Sequence, residues 1–280
     1  MSRNQDRLGG VQQPDTTPPP QTMSDGGFSF VVPTEFVELP SEGRYYPEGH
    51  PLHGETSIEI KQMTAKEEDM LTSRTLLKKG VALDRVLASV ITDKSIDADS
   101  LLVGDRNAII IATRVSGYGN DYSTKVGCPG CGETQEYSFD LNDAKMFAGG
   151  ESTLGVVDNE DGTFNIVLPK TGVTATFRLL TGYDEKSLVS GSESDKKQKV
   201  ERNVTRQLSS MLIAANGDTS AQAINYLVEN LPSIDSRHLR LAYRKTAPNV
   251  DLTQHFECSE CDHEQSMEVP LSADFFWPDQ

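Results

Sequence analysis

Two short stretches of the sequence, CPGCG at residues 128–132 and CSECD at residues 258–262, decide the fold, because they hold all 4 cysteines of the chain. In each stretch two residues separate the cysteines, and this spacing lets both thiolates reach one cation. Two such pairs supply a full tetrahedral shell, so the sequence predicts one structural zinc ion. The predicted zinc ligands are Cys128, Cys131, Cys258 and Cys261.

Other uses of the cysteine pairs stay open at this point. Each pair could form a disulfide, the four thiols could be free, or they could ligate an iron–sulfur cluster. The amino terminus lacks the apolar centre of a signal peptide, so we expect a cytosolic chain, in which metal binding is favoured over disulfides. Nothing in the sequence indicates electron transfer. His255 and His263 are interpreted as flanking residues, because four thiolates already complete the shell.

The residues around each pair predict a β-hairpin with the cysteines at its tip. Gly132 can adopt the left-handed conformation that such a turn requires, and Asp262 tolerates it better than most residues. A shell of four protein ligands leaves no open position for water or substrate, so the predicted site is structural. Apolar residues alternate on both sides of the turns, at Val126, Tyr137 and Phe139 and at Phe256, Met267 and Val269.

The composition divides the chain into three predicted segments. Residues 1–27 are rich in Pro, Gln, Thr, Asp and Gly and predict a disordered tail. Residues 28–150 form a first half, which contains an LPSEG segment starting at Leu39 and the first cysteine hairpin. Residues 151–280 form a second half with the second hairpin.

Hydrophobic periodicity predicts alternating strands and helices in both halves. Thr64 and Glu67 form a capping box, and the helix that it starts is predicted to run to Gly80. A second predicted helix follows the polar residues 190–199 and ends near Gly217. The remaining predicted strands lie at 28–32, 36–39, 57–61, 163–168 and 174–180, and the remaining helices at 83–91, 105–116, 220–230 and 233–245.

The two halves also align with each other. A shift of 130 positions places Asp105 on Asp235 and superimposes all the cysteines without a gap, and further upstream a shift of 117 places Thr64 on Thr181. Chance similarity is the alternative, but we favour an internal duplication. The sequence therefore predicts an α+β fold of two related halves. Each half would carry strands, helices and a cysteine hairpin, and a zinc-ribbon-like site of four cysteines would join them.

Charge and motifs argue against several classes of function. The chain has 26 Lys and Arg against 42 Asp and Glu, a net charge of −16. This charge disfavours nucleic acid as a partner, and it suits either solubility or a basic protein partner. No apolar run approaches the about 20 residues of a membrane span. Phosphate loops, dinucleotide fingerprints and nucleophile elbows are missing from the sequence. His53 and Glu55 imitate part of a zinc deaminase motif, but Gly127 replaces the proline of that motif. We therefore predict that the chain is not an enzyme.

Several motifs together resemble the baseplate hub proteins of T-even-type contractile-tailed bacteriophages. Their order and spacing agree with that family, which makes the resemblance more specific than any single motif. It covers residues 36–140 best. The motifs are LPSEGRYYP at 39–47, Met63-Thr64, Glu67-Glu68, Leu71, Gly104-Asp105-Arg106, Arg114, Tyr118-Gly119, Tyr122 and the first cysteine pair.

The resemblance implies a non-catalytic role in the tail baseplate, as a component of the hub or as a factor that helps it assemble. The implied partners are other baseplate hub or tail proteins, in the host cytoplasm during assembly or in the virion. A zinc-ribbon adaptor for nucleic acid or transcription proteins is the alternative. In the light of the resemblance, Leu39, Pro40, Tyr45 and Tyr46 are candidate partner contacts, although the tyrosines could equally pack their loop onto the domain. Arg114 and Arg244 are expected to be buried partners of Asp105 and Asp235, or else surface charges.

Overall fold

The computed structural model describes residues 21–24, 27–150, 154–198, 202–270 and 273–276. Most of the predicted disordered tail, residues 1–27, therefore lies outside the described residues. The part of it that is described belongs to a small antiparallel hairpin, in which β1 (Gln21–Ser24) pairs with β2 (Gly27–Phe30). Among the described helices, none is both long and apolar enough to cross a membrane.

The first half follows the predicted order of elements, with two differences: a short strand at Lys145–Phe147 was not predicted, and one predicted helix is divided in two. The capping box of Thr64 and Glu67 starts α1 as predicted. The helix does not run to Gly80, however, because Ser73 adopts an extended conformation and its hydroxyl accepts a hydrogen bond from the N–H of Leu76, which starts a second short helix. The elements are β3 (Thr34–Glu38), β4 (Ser57–Lys61), α1 (Ala65–Thr72), α2 (Arg74–Lys78), α3 (Ala82–Val90), α4 (Val103–Tyr118), β5 (Asp121–Gly127), β6 (Thr134–Asp140) and β7 (Lys145–Phe147).

The second half differs from its prediction between residues 182 and 217. The polar residues from Ser190 onward extend a long helix as far as Gln198, and the next helix ends at Met211 rather than near Gly217. Leu212 and Ala214 are buried on a strand that follows. The elements are β8 (Val157–Asp158), β9 (Thr163–Val167), β10 (Thr174–Arg178), α5 (Gly182–Gln198), α6 (Asn203–Met211), β11 (Leu212–Ala215), α7 (Ala221–Asn230), α8 (Ser233–Thr246), β12 (Asn249–Asp251), β13 (Thr253–Glu257) and β14 (Glu264–Glu268).

The chain is a mixed α+β protein whose sheets are small and antiparallel. One sheet has the order β11-β10-β9-β8, whereas β3 pairs only with β4 among the described strands. The contacts between the two halves include three that join corresponding elements: β7 pairs with β12, the cysteine hairpins pack together, and the first turn of α4 lies against that of α5. At the third of these contacts the N–H of Val103 donates to Leu180 and the N–H of Gly182 donates to Leu101. A single hydrophobic cluster runs through both halves.

Candidate metal centre

Each cysteine pair lies in the turn of a two-stranded hairpin, between β5 and β6 or between β13 and β14. The N–H of Cys128 donates to the carbonyl of Glu133 at 2.8 Å, and the N–H of Cys258 donates to that of His263 at 3.0 Å. The turns close through left-handed residues, Gly132 at φ 80° and Asp262 at φ 53°, as the sequence predicts. Both hairpins therefore present their cysteines in the same backbone geometry.

The two turns face each other and bring the four sulfur atoms together. The Sγ atoms of Cys128 and Cys261 are 3.7 Å apart, and those of Cys131 and Cys258 are 3.8 Å apart. All four sulfur atoms lie within 4.8 Å of one another. The cysteines are free, and the two separations are well beyond the about 2.05 Å of a disulfide bond. Ligands about 2.3 Å from a tetrahedral zinc ion lie about 3.8 Å from one another. The cluster is therefore compatible with a metal site.

The proton affinities of the thiols show the effect of this crowding. Backbone N–H groups of Cys131 and Gly130 favour the thiolate of Cys128 against burial, and they lower its pKa to about 6. At Cys261 the N–H of His263 also favours the thiolate, but burial and the three neighbouring sulfurs outweigh it and raise the pKa to about 12. Four thiolates this close would repel one another, so a bound cation would favour their ionised forms and metal binding would release protons.

Contacts between the hairpins support the arrangement of the sulfurs. The side chain of Gln135 donates to the carbonyl of Glu257 at 3.1 Å and accepts from the N–H of Ser259 at 3.0 Å. The rings of Tyr137 and Phe256 are 5.1 Å apart. Because these contacts cross from one half to the other, the cysteine pairs are held together by packing as well as by any bound cation.

The two histidines that flank the second pair lie in different surroundings. The imidazole of His263 lies so close to Gly130 that a Cβ there would be 3.0 Å from its ring. His255 lies on the surface with Glu257 and Glu264, and the three ligand atoms are within 4.8 Å of one another. All three residues are exposed, and exposed groups of this kind often lie together without a metal.

Three of the four candidate partner contacts are buried within the chain. Leu39, Pro40 and Tyr46 are buried, and Tyr45 is half-buried with its ring 5.5 Å from that of Phe164. The Tyr46 hydroxyl donates to the Asp105 carboxylate at 2.7 Å and accepts from a backbone N–H at 3.1 Å. A partner contact at this segment stays a prediction, and only Tyr45 among the four offers surface for it.

The arginines do not pair with the aspartates as expected. Asp105 accepts from the N–H and hydroxyl of Ser41, at 3.0 and 2.6 Å, and from Tyr46. Arg114 is fully buried, but it donates to backbone carbonyls, at 2.6 Å to Phe275 and at 3.0 Å to Asp121. Arg244 is exposed. The carbonyls satisfy the Arg114 guanidinium without a carboxylate, and this partner choice has no signal in the local sequence.

A second turn related to the LPSEG segment was missed by the sequence analysis. Asp235 accepts from the N–H groups of Lys170 and Thr171, at 2.8 and 2.9 Å, and from the Thr171 hydroxyl at 2.8 Å. Both residues belong to an LPKTG segment that starts at Leu168, and the glycines that close the two segments, Gly43 and Gly172, share a φ of 68°. The Leu-Pro-x-x-Gly pattern occurs in both segments, and this repeat could have predicted the second turn from the sequence.

Comparison with known proteins places the chain in a family. The family described as T4 bacteriophage base plate protein matches residues 33–277, which include all four cysteines. No curated protein and no solved structure matches the chain. The match spans both halves and extends beyond residues 36–140, where the sequence resemblance is strongest. The chain belongs to the T4 bacteriophage base plate protein family.

Proposed function

We propose that this protein is a non-catalytic structural or assembly component of the phage tail baseplate hub, with one structural zinc ion. The family match over residues 33–277 carries the proposal, because it places the chain among baseplate proteins. A role at the hub, in the host cytoplasm during assembly and in the finished tail, is the finer part of the proposal. It rests on the LPSEGRYYP segment and the motifs that follow it in order.

Zinc is the metal that best suits the cysteine cluster. Four thiolates at the corners of a tetrahedron form a closed shell, and zinc in such a shell supplies structural cross-linking rather than catalysis. Cys128 and Cys131 would hold the ion from the first half, and Cys258 and Cys261 from the second. The ion would thus join segments that are distant in sequence, which contributes on the order of 10 kcal/mol at neutral pH.

We further infer that the two halves arose by duplication. The hydrogen-bonded starts of α1 and α5 support this: Thr64 donates through N–H and hydroxyl to Glu67, and Thr181 donates in the same way to Asp184. Each carboxylate also pairs with a cation on the preceding strand, at 2.7 Å from Lys61 and at 2.8 Å from Arg178. Matched caps and matched ion pairs at the two helix starts favour duplication over chance similarity.

Tyr45 is the residue through which the 39–47 segment would reach a partner. Its ring lies under the Arg44 guanidinium, 5.4 Å away, at the boundary between the two halves. Leu39, Pro40 and Tyr46 would support this contact from within the chain. Aromatic and arginine side chains are enriched at protein interfaces, which favours this pair over the charged surface elsewhere.

Quantitative mass spectrometry of purified phage particles and of infected-cell lysate tests the proposed role. Copies in the particle at a small fixed ratio to other tail proteins would identify a hub component, and abundance in lysate alone would identify an assembly factor. No association with tail proteins in either fraction would contradict the proposal. Metal analysis of the purified chain should find one zinc per chain, and iron or no metal would contradict that part.

A further inference from the structure

β3 and β9 occupy the same position in the sheets of the two halves, but only β9 is paired on both sides among the described strands. β3 lies beside β4 as β9 lies beside β10: Phe36 is opposite Glu59, and Asn165 is opposite Thr176, each at the third residue of its partner strand. In the second half β8 covers the far side of β9, with Val157 paired to Asn165. Within the described parts of the chain, no strand covers the far side of β3.

The hydrogen-bond pattern shows which backbone groups of β3 are left open. The N–H of Leu39 donates to Thr56, and the N–H of Gln62 donates to the carbonyl of Pro33. Backbone groups in an antiparallel pair face the partner at every second residue. The N–H and C=O groups of Phe36 and Glu38 therefore point away from β4, to the side that β8 occupies in the second half.

The side chain at this position is unusual for an open edge. Phe36 is 73% exposed, the highest exposure among the large hydrophobic residues of the described chain. Its counterpart Asn165 is polar, and its amide donates to Asn159 at 2.8 Å and accepts from Thr176 at 2.7 Å. An exposed aromatic ring on an unpaired strand is a template for pairing with another chain, and proteins usually protect such an edge.

We propose that the open edge of β3 binds an extended segment of another baseplate protein, which adds a strand where the second half has β8. This inference rests on the proposed function. Main-chain hydrogen bonds to Phe36 and Glu38 would provide affinity, and an apolar side chain would cover the Phe36 ring. Glu38 and Glu59 lie on the same face as that ring, and the one cation of these two strands, Lys61, is already paired with Glu67. The segment should therefore carry Lys or Arg beside its apolar residue.

The charge of the chain argues against a second copy as the occupant. Each copy carries a net charge of −16, and pairing two copies through this acidic face would bring like charges together. A basic extended segment from a different protein removes that repulsion. The partner is therefore defined by its chemistry, as an apolar strand flanked by cations.

Hydrogen exchange measured by mass spectrometry tests the inference, with the free chain compared with the hub complex isolated from infected cells. The outward amides of Phe36 and Glu38 should exchange fast in the free chain and about tenfold more slowly in the complex, whereas the amides of Glu35 and Val37 face β4 in both. Amides in residues 163–167, already covered by β8, should exchange alike in both. Unchanged exchange at 34–38 in a complex that contains the chain would overturn the inference alone. Absence of the chain from the complex would overturn the proposed function as well.

Protection of the Phe36 and Glu38 amides in the free chain would also overturn the inference, since the edge would then be covered by a second copy or by the chain's own amino-terminal residues. Two substitutions separate backbone pairing from side-chain contact. Phe36→Pro removes the outward N–H without affecting the β4 ladder, and Phe36→Thr removes only the ring. Incorporation into the complex should fall about tenfold further for Phe36→Pro than for Phe36→Thr. Equal incorporation would count against strand addition, and the matched control Val167→Thr should incorporate normally.

Discussion

The two halves share a set of corresponding elements and differ in the strands and loops added to them. Both halves have a Leu-Pro-x-x-Gly turn held by a buried aspartate, a capped helix and a cysteine hairpin. The second half closes its sheet with β8 and β11, whereas in the first half a single bridge between Ile60 and Ile91 lies beside β4. The first half instead inserts residues 44–55 between its turn and β4. The shared parts should therefore govern stability, and the parts peculiar to the first half should govern assembly.

The largest expected effect comes from the shared metal centre. Cys128→Ser and Cys258→Ser occupy equivalent turns, so each should abolish stoichiometric zinc binding and destabilise both halves together. Loss of the proposed ion would remove a contribution on the order of 10 kcal/mol, comparable with the whole stability of a domain. Metal analysis combined with hydrogen exchange across both halves measures the outcome.

Ser259→Ala is the matched control for the cysteine variants, because Ser259 lies between the second pair but offers no thiolate. It should retain one zinc per chain. Variants in which only the mutated half loosens would show that the ion does not couple the halves, and the comparison would then be between two independent domains.

A smaller effect is expected where α4 and α8 begin, because the halves differ there by one side chain. A Cβ on Gly104 would lie 2.0 Å from the carbonyl oxygen of Pro248, which belongs to the chain segment leading into β12. The equivalent residue of α8 is Ile234, which is 60% exposed. Gly104→Ala should destabilise the protein by about 3 kcal/mol through overpacking, and Ile234→Ala by about 0.5 kcal/mol or less. Urea unfolding in excess zinc measures both, and similar costs would contradict the asymmetry.

Local signals account for much of the fold and for the candidate ligands. The capping box at Thr64, the helical spacing of α3 and α4 and the spacing of the cysteine pairs each depend on residues that are neighbours in sequence. The sequence identified the four cysteines as one cluster because no other thiols compete for the ligand positions.

Features that depend on distant contacts were not predicted. Leu212–Ala215 is compatible with a helix by composition, and it becomes a strand only because β10 is available to pair with it. The interruption of the first helix has a local cause instead, because the Ser73 hydroxyl caps a new helix by accepting from the N–H of Leu76, and the sequence analysis did not recognise this cap. The open edge of β3 had no local signal, because it is defined by a strand that the second half has and the described first half lacks.

The buried aspartates should give the halves opposite dependences on pH. Burial outweighs the hydrogen bonds to Asp105 and raises its pKa above 3.8, so its contribution is greatest below pH 3.8 and is lost as pH rises through the folded pKa. Burial also opposes the charge of Asp235, but the donors at Lys170 and Thr171 outweigh it and lower the pKa. Its contribution is present above pH 3.8 and is lost as pH falls through the folded pKa.

Asp105→Asn and Asp235→Asn make this difference measurable. At neutral pH each should cost about 1–3 kcal/mol, with the larger cost at Asp235, where the ionised acceptor is favoured. The cost of Asp235→Asn should shrink on acidification, and that of Asp105→Asn should grow. The free energy of unfolding of each variant is compared with that of the unmodified chain at the same pH. This comparison removes the effect of acid on the thiolates, which all three proteins share. Parallel pH profiles for the two variants would contradict the assignment.

The smallest expected effect is a difference in stability between the two capping boxes. Burial disfavours the charge of Glu67, but hydrogen bonds from Lys61, Ser89 and Thr64 outweigh it and lower the pKa to about 2. Its contribution is therefore present above pH 4.5 and is lost as pH falls through about 2. Asp184 has the same cap but pairs with a more exposed cation, since Arg178 is 37% exposed and Lys61 is 25% exposed.

Glu67→Gln should therefore cost about 1 kcal/mol, and Asp184→Asn a few tenths less, because solvent screens the second pair more strongly. Raising the salt concentration should reduce the cost of Asp184→Asn more than that of Glu67→Gln. Thermal unfolding in low and high salt, with excess zinc throughout, measures both costs. If salt reduced the two costs equally, the matched caps would be equivalent in energy as well as in geometry, and the predicted difference between them would be wrong.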